Sequence, residues 1–430
     1  MKRLPALSLA ILMVFALLMP AAAAEQEGLF NYSIKPDDTI MITYYSWYKK
    51  KDKEPIEIPS EIDGRIVTEI GEYAFCNKTW VQMNIDNQSS FFAGDGNVDL
   101  IIPNTITKIG AMAFYNSDIR LSGIPASVEE IGYGAFSACG IRQFKVDGNN
   151  PAYAAVDGAL YCKKTKELIA APGHTEVHVP DGIVKIAPWA CSACDGMKLY
   201  LPGTIEEIGE RAFWSCRDLA IGADSVSGGR IVLPGSVKVL GPYVFSNMSN
   251  NGSREFTLID LSRTRIAELP DFAFYHLVGC KDIKLPPALE IIGESAFDQS
   301  YYVSEITGTL PDSVKTIRKR GLAECRFESP VFSADSRIEE IGDEAFCHCS
   351  YGSGAQSMIL PDTLRSIGSH AFDSSTLKTI SVPAGVTSIA KEICNREKTE
   401  LLIEPGTYAE QWAGENGYII SGPEDLSWLD

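Results

Sequence analysis

The residue spacings that could do chemistry in this chain are mostly between cysteines. The phrase WACSAC places Cys191 and Cys194 at the C-x-x-C spacing found in thiol redox sites. Similar phrases elsewhere carry a cysteine at the position of Cys194: Cys139, Cys216, Cys325 and Cys349. Because one position of a recurring phrase keeps its residue type, we interpret these cysteines as buried structural residues rather than as a redox pair.

The same cysteines raise the question of disulfides. Consecutive copies of the phrase would lie about 5 Å apart, so Cys194 with Cys216, or Cys325 with Cys349, could be bonded. The chain has 11 cysteines, an odd number, so at least one thiol has no partner in the chain. We predict that these cysteines are mainly buried thiols, and whether either pair is bonded stays open at this point.

Metal-binding and catalytic patterns are weak. The CHC phrase at 347–349 offers two thiols and one imidazole without a fourth ligand nearby in sequence. His174 and His178 stand four apart in HTEVH, but the surrounding pattern is a strand, on which such a pair shares no helical face. The sequence shows no phosphate-binding glycine loop and no nucleophile elbow. We therefore predict no enzymatic activity, no catalytic residue, no cofactor and no metal ion.

The charge balance is strongly acidic. Lys and Arg total 38 against 56 Asp and Glu, which gives a formal net charge of −18 at pH 7. Nucleic acids and anionic membrane surfaces repel such a chain, so we expect neither of them as a partner.

The N-terminus has the pattern of a secretory signal peptide. Lys2 and Arg3 precede the apolar run LPALSLAILMVFALLMP, and the small residues of AAAAE follow it. The alternative is an uncleaved membrane anchor, but the run is short for a span and alanines follow at once, which favours cleavage. No later stretch of about 18 apolar residues exists, so we expect no transmembrane segment in the mature chain. The expected location is secreted or at the cell surface.

The cysteine phrase belongs to a repeat that runs through most of the chain. Its best-preserved part, Ile-Gly-x-x-Ala-Phe, occurs intact or degraded twelve times, mostly at intervals of 22 to 26 residues. The copies begin at Ile70, Ile109, Ile131, Ile186, Ile208, Leu240, Leu269, Ile292, Ile317, Ile341, Ile367 and Ile389. In nine copies a proline stands six residues earlier: Pro103, Pro125, Pro180, Pro202, Pro234, Pro286, Pro311, Pro361 and Pro383. A period in this range is typical of leucine-rich repeats.

Each part of the repeat has a structural interpretation. In KLYLP, leucines alternate with Tyr200, which predicts a short strand that the proline ends. In GTIEEIG, Ile205 and Ile208 should face inward while the two glutamates between them face water, and Gly209 should allow a tight corner. Stacked units cover one another's apolar faces. We therefore predict a leucine-rich repeat solenoid of about twelve coils, on the order of 60 Å long, with a parallel β-sheet along one face.

Departures from the repeat indicate loops, an insertion and the two caps. The polar KKTK between two apolar runs predicts a β-hairpin, and DNQSSFFAGDGN and SNMSNNGSRE are expected to be surface loops. Near the C-terminus, Ala409, Trp412 and Ala413 share one face of a short helical cap that Gly417 could end. The predicted organisation is a signal peptide at 1–24, a strand-rich N-terminal cap at 25–62, a repeat array at 63–397 with the hairpin insertion near 150–172, and a C-terminal cap and tail at 398–430.

Several phrases are also characteristic of a known family. IPxxVxxIGxxAFxxC, NNPAYAAVDGALY, IPSEIDGRIVTEIGEYAF and GTYAEQWAGENG together resemble the BspA-like leucine-rich repeat proteins, over roughly residues 28 to 420. The resemblance implies a leucine-rich repeat solenoid of an exported or surface protein. Members of this family are associated with adhesion and with binding to host or matrix proteins, and they share no catalytic residues that could be placed on this chain.

Function is then expected on the outward side of the strands. The residues two before each proline should form a row across the sheet: Ile101, Gly123, His178, Tyr200, Val232, Lys284, Thr309, Ile359 and Ser381. Of these we select a candidate partner-binding face: Ile101, His178, Tyr200, Val232, Lys284 and Ile359. The alternative is that these residues bind no partner, because single apolar residues are common on protein surfaces. The sequence therefore predicts an exported protein-binding protein, with an adhesin for host or matrix proteins as the specific form. The alternative function is a structural scaffold protein of the cell envelope without a dedicated ligand.

Overall fold

The computed structural model describes residues 25–46, 55–76, 98–117, 119–222, 229–249, 258–277, 280, 282–300, 309–327, 330–352 and 356–422. The predicted signal peptide, the loop DNQSSFFAGDGN and most of SNMSNNGSRE lie outside these residues. Within them the chain winds as a β-solenoid of about thirteen turns. The twelve copies of the repeated phrase predicted about twelve. The predicted leucine-rich repeat solenoid is thereby confirmed. The described part of the chain contains no helix with the length and apolarity that a membrane crossing needs.

Strands that precede the proline turns stack in parallel and form what we call ladder A. Its strands lie in three sheets: Ile56–Glu57, Val98–Ile101 and Ile119–Leu121; Glu176–His178, Lys198–Tyr200, Ala220–Ile221, Arg230–Val232, Leu258–Asp260 and Ile283–Lys284; and Ser357–Ile359, Thr379–Val382, Glu400–Ile403 and Ile420–Ser421. A further parallel pair joins Arg326–Phe327 to Ser350–Tyr351. Leu199 is fully buried between the more exposed Lys198 and Tyr200, as the alternation in KLYLP predicts.

A second parallel ladder, ladder B, is formed by the residues just before the repeated glycine. Its strands are Arg65–Ile70, Lys108–Ile109 and Glu130–Ile131; Glu167–Ala170, Lys185–Ile186, Glu207–Ile208 and Val239–Leu240; and Glu268–Leu269, Ile291–Ile292, Thr316–Ile317, Glu340–Ile341, Ser366–Ile367 and Ser388–Ile389. The sequence did not predict this ladder, because most of its strands are two residues long and show no alternation of apolar and polar positions.

The core between the ladders contains a column of phenylalanine rings, one from each of several consecutive coils. Phe213, Phe245, Phe274 and Phe297 are fully buried. Their neighbouring ring centroids lie 5.4, 5.5 and 5.1 Å apart, with the planes within 13° of parallel. Each phenylalanine N–H also donates to a carbonyl of the next coil, for example from Phe274 to Ala296 O at 2.7 Å. The repeated Ala-Phe pair therefore holds adjacent coils together by packing and by hydrogen bonds.

The repeated glycine has a different role from the one expected. Gly209 does not have positive φ, so it does not supply the left-handed corner. A Cβ added at Gly209 would instead lie 2.6 Å from the backbone N of Pro188 in the neighbouring coil. The left-handed conformation falls on Arg211 and Ser215, with φ of 51° and 58°, on either side of the Ala-Phe pair. Glycine is needed because two backbones approach closely, and the corner is built by other residues.

An antiparallel extension stands where the sequence predicts a hairpin insertion. Tyr153–Val156 pairs with Ala159–Cys162, which in turn pairs with Glu167–Ala170. The last of these strands runs parallel to Lys185–Ile186 and so enters ladder B. The Tyr153 hydroxyl accepts a hydrogen bond from Ile131 N at 2.7 Å, which ties the extension to the preceding coil.

Both ends of the solenoid differ from the repeats. At the N-terminus three strands pair antiparallel in chain order: Glu25–Glu27, Phe30–Ile34 and Ile40–Tyr45. The third of them runs parallel to Arg65–Ile70, the first strand of ladder B. Glu61–Ile62 also pairs with Arg65–Ile70, in antiparallel orientation.

The C-terminal cap contains the helix Tyr408–Asn416. Thr407 caps it by accepting a hydrogen bond from Glu410 N, and the Glu410 carboxylate accepts one from Gly406 N at 2.7 Å. Gly417 ends the helix in the left-handed conformation, with φ of 73°. The buried residues are those predicted: Ala409, Trp412 and Ala413. The predicted helical cap is confirmed.

Candidate functional site

The outward positions of ladder A come together in register as a row across the strands. The inward residues that precede the positions of this row are fully buried: Val177, Leu199, Ile221, Ile231, Ile259 and Ile283. The outward residue that follows each of them pairs with the next one along the solenoid. His178 lies beside Tyr200, and Val232, Asp260 and Lys284 follow one another in order. The repeat thus converts side chains far apart in sequence into neighbours.

His178 and Tyr200 form the most defined contact on this face. Their ring centroids are 4.3 Å apart and their planes differ by 3°, so the rings are stacked. His178 is exposed, with Nε2 3.5 Å from a carboxylate oxygen of Glu176. Two aromatic rings fixed by the strand spacing offer contact area to a partner while losing little conformational freedom on binding.

The other selected residues are spread along the face. Ile101 is 39% exposed at the end of Val98–Ile101, where it pairs with Glu57. Ile359 is 58% exposed and pairs with Ser381 in a later sheet. The structure therefore brings His178 and Tyr200 together, places Val232 and Lys284 on either side of Asp260, and leaves Ile101 and Ile359 apart from them.

The sequence analysis missed two positions of this row and the outward row beside it. Gly222 and Asp260 occupy outward positions equivalent to Tyr200, and the neighbouring row contains Lys198, Ala220 and Arg230. The selection required a proline two residues later, and no proline follows Ala220–Ile221 or Leu258–Asp260 at that distance. The usable signal was the isoleucine in AIG and LID, which is followed by a glycine in one strand and by an aspartate in the other.

Ladder B presents a different outward surface, composed mainly of paired charges. Lys185 Nζ lies 2.9 Å from a carboxylate oxygen of Glu207 and 3.5 Å from one of Glu167. Lys108 Nζ lies 3.2 Å from a carboxylate oxygen of Glu130. Such pairs satisfy one another on a solvated face, so this side gives little reason to expect a partner.

The recurring cysteines form hydrogen bonds between neighbouring coils. All eleven are free thiols, and nine of them are buried. The recurring cysteine donates its S–H to the carbonyl at the phenylalanine position of the preceding coil, as from Cys216 to Cys191 O at 2.9 Å and from Cys349 to Leu322 O at 3.0 Å. Ser300 makes the same bond to Phe274 O at 2.7 Å. A small side chain with one donor explains why serine can replace cysteine at this position.

Burial also makes these thiols poor nucleophiles. It raises the pKa of Cys139 to about 12 and holds the pKa values of Cys194 and Cys216 well above the ordinary thiol range. The C-x-x-C spacing of Cys191 and Cys194 is therefore a consequence of the repeat. Among the residues that the structure describes, no group of three or more His, Cys, Asp or Glu side chains is arranged to hold a metal ion.

We predict a large difference in thiol reactivity between the native and unfolded protein. A colorimetric disulfide reagent at pH 8 should detect all 11 thiols in guanidinium without reductant, and almost none of them quickly in the native state. A titration of the unfolded protein that leaves four or more thiols undetected would mean that the cysteine pairs are bonded.

Four stretches of the chain match one family model, and the first three of them overlap. Residues 29–142, 87–220, 173–259 and 267–399 match the model described as BspA type leucine rich repeat region. The chain belongs to the BspA-type leucine-rich repeat family. In this BspA-type chain the matched stretches contain ladder B, most of ladder A and all six candidate face residues.

Several solved structures are similar to this BspA-type chain in fold. A leucine-rich cell-surface protein from Faecalibacterium prausnitzii A2-165 is 19% identical, with 91% of this chain and 97% of that chain covered and a TM-score of 0.45. A leucine-rich repeat protein from Eubacterium ventriosum is 16% identical, with 86% and 93% covered and a TM-score of 0.39. The pneumococcal vaccine antigen PcpA is 13% identical, with 94% and 99% covered and a TM-score of 0.31. A comparison with proteins of curated function finds no match.

Proposed function

We propose that this chain is an exported binding protein, without enzymatic activity, that contacts a protein partner through the outward face of ladder A. Membership of the BspA-type family and the signal-peptide pattern at 1–24 support export to the cell surface or beyond. Host or matrix proteins are the proposed class of partner, with adhesion as the role. The observation that supports binding most strongly is the stacked His178 and Tyr200 pair on an exposed row.

The architecture suits a large partner. Stacked coils hold the outward side chains of ladder A at a nearly fixed spacing, so a partner would meet a preorganised surface. A shallow groove of about 450 Å³ extends this face near the C-terminal end, lined by Ser381, Leu402 and Glu404 among others. An extended surface with aromatic and apolar positions is better matched to a macromolecule than to a small molecule.

Binding should depend on Tyr200. We expect the Tyr200→Ala variant to bind a captured partner roughly tenfold more weakly than the wild type, because truncation removes the ring and leaves His178 without its stacking neighbour. Capture from matrix proteins and from envelope fractions, followed by equilibrium titration, measures the effect. Tyr408→Ala is the matched control, since Tyr408 is 45% exposed but lies on the C-terminal helix, away from ladder A.

The result also separates the proposal from its main alternative. Saturable binding to a host or matrix protein that Tyr200→Ala weakens and Tyr408→Ala leaves unchanged supports a dedicated binding protein. If neither pool contains a saturable partner, the structural scaffold of the cell envelope is the better account.

A further inference from the structure

Two cations stand on ladder A with one small residue between them. Lys198 pairs in register with Ala220, and the next strand places Arg230 on the other side of Ala220, because Ile221 pairs with Ile231. Adjacent strands are about 4.8 Å apart, so the backbones of Lys198 and Arg230 are separated by about 10 Å. Both side chains are long enough to reach one anionic group placed above Ala220.

Small residues form the base of this part of the face. Ala220 is only 2% exposed, and Gly222 at the other outward position has no side chain. Tyr200 stands on one side of Gly222 and Val232 on the other. We call this part of the face the cationic notch and define it by six residues: Lys198, Tyr200, Ala220, Gly222, Arg230 and Val232.

Neither cation of the notch forms an ion pair with a described residue, whereas Arg120 on the same ladder pairs with Asp99. Glu176 stands in register beside Lys198, but its carboxylate contacts His178. Within the described part of the chain, Arg230 Nε is buried and lacks a hydrogen-bond partner. A buried donor without an acceptor is costly, and because Arg230 as a whole is only half-buried, an acceptor that reaches the rest of its guanidinium would offset that cost.

We infer that the cationic notch receives a carboxylate of the protein partner, from an Asp or Glu on an exposed segment. This inference rests on the proposed function and specifies the chemistry of the partner. The guanidinium of Arg230 matches a carboxylate in a two-pronged geometry, and Lys198 adds a point charge from the opposite side.

The surroundings favour a single carboxylate over a polyanion. Glu176 stands beside Lys198 in one row and Asp260 stands beside Val232 in the neighbouring row, so negative charge lies on both sides of the notch. The chain as a whole carries a formal charge of −18. A sulfated polysaccharide or a nucleic acid would meet repulsion immediately beyond the notch, whereas one carboxylate on a protein segment would not.

A random twelve-residue peptide library displayed on phage, selected against the full chain, supplies the probe. We expect binders enriched in Asp or Glu at one position. One selected peptide with Glu at that position is then synthesised, together with a version in which this Glu is replaced by Gln. The replacement should weaken the peptide's affinity for the wild-type protein about tenfold, and its affinity for the Lys198→Gln/Arg230→Gln variant less than twofold. The Lys238→Gln/Lys315→Gln variant is the control, because it removes two cations already paired with Glu206 and Glu290 and should keep the tenfold effect.

Other outcomes would overturn the inference. Binders that lose affinity on Tyr200→Ala but show no acid dependence would contradict the notch and retain the proposed function. Binders insensitive to Tyr200→Ala and to the double variant would contradict both. Heparin binding lost in the double variant, without acid dependence among peptides, would assign the notch to a polyanion.

The segment 223–228 contains one acid, Asp224, and Asp224→Asn should leave the acid dependence of peptide binding unchanged. A tenfold gain in peptide affinity on that change would mean that the chain's own carboxylate fills the notch.

Discussion

Gly293→Ala should lower the free energy of unfolding by about 3 kcal/mol. A Cβ at this position would lie 2.6 Å from Asp271 N, 2.6 Å from Pro270 C and 2.7 Å from Leu269 O. All three are backbone atoms of the neighbouring coil, so no side chain can rotate away to make room. Relief requires the strands Ile291–Ile292 and Glu268–Leu269 to separate, which breaks their hydrogen bonds. Urea unfolding followed by circular dichroism measures the loss.

The matched control for this substitution is Gly203→Ala. Gly203 has no heavy atom within 4 Å of an added Cβ and has no positive φ, so alanine should fit there without strain. We expect its unfolding midpoint to equal that of the wild type or to exceed it slightly, because alanine restricts the unfolded chain. Equal stability of the Gly293→Ala and wild-type proteins would show that coil spacing does not explain the repeated glycine.

Phe274→Ala should lower the free energy of unfolding by about 3 to 5 kcal/mol. The ring is fully buried, with the centroid of Phe245 at 5.5 Å and that of Phe297 at 5.1 Å. Truncation leaves a cavity between two coils and removes both stacking contacts, and the neighbours can close it only by moving the ladders together. The same urea titration measures this effect.

Phe274→Leu is the control for the cavity, since it keeps most of the buried volume and loses only the aromatic contacts. We expect it to cost less than half as much as the alanine variant. A Phe274→Ala protein as stable as the wild type would mean that the ring column is not what joins the coils.

The solenoid could be predicted because its inward residues repeat. Alternation around Leu199 located a strand, and the spacing of Ala409, Trp412 and Ala413 located the one helix of the described chain. Each prediction depended on side-chain periodicity, which sequence displays directly. The reason for the glycine at 209 could not be read in the same way, because it depends on how closely another coil approaches.

The candidate face was only partly accessible from sequence. The repeat placed His178 and Tyr200 at equivalent positions, and strand stacking made them neighbours. Gly222 and Asp260 lack the following proline that marked the other positions, so they were overlooked. The unpaired state of Arg230 Nε depends on which side chains surround it in three dimensions, and no spacing rule reports that.

Partner binding through ladder A is tested most directly by the dissociation constants of two variants for the same captured partner. Val232→Asp places a charge on a half-buried ladder A residue in the same sheet as His178 and Tyr200, and Val239→Asp does the same on a ladder B residue that is 52% exposed. We predict roughly tenfold weaker binding for Val232→Asp and an unchanged constant for Val239→Asp. Equal constants for both variants and the wild type, or a loss confined to Val239→Asp, would contradict binding through ladder A.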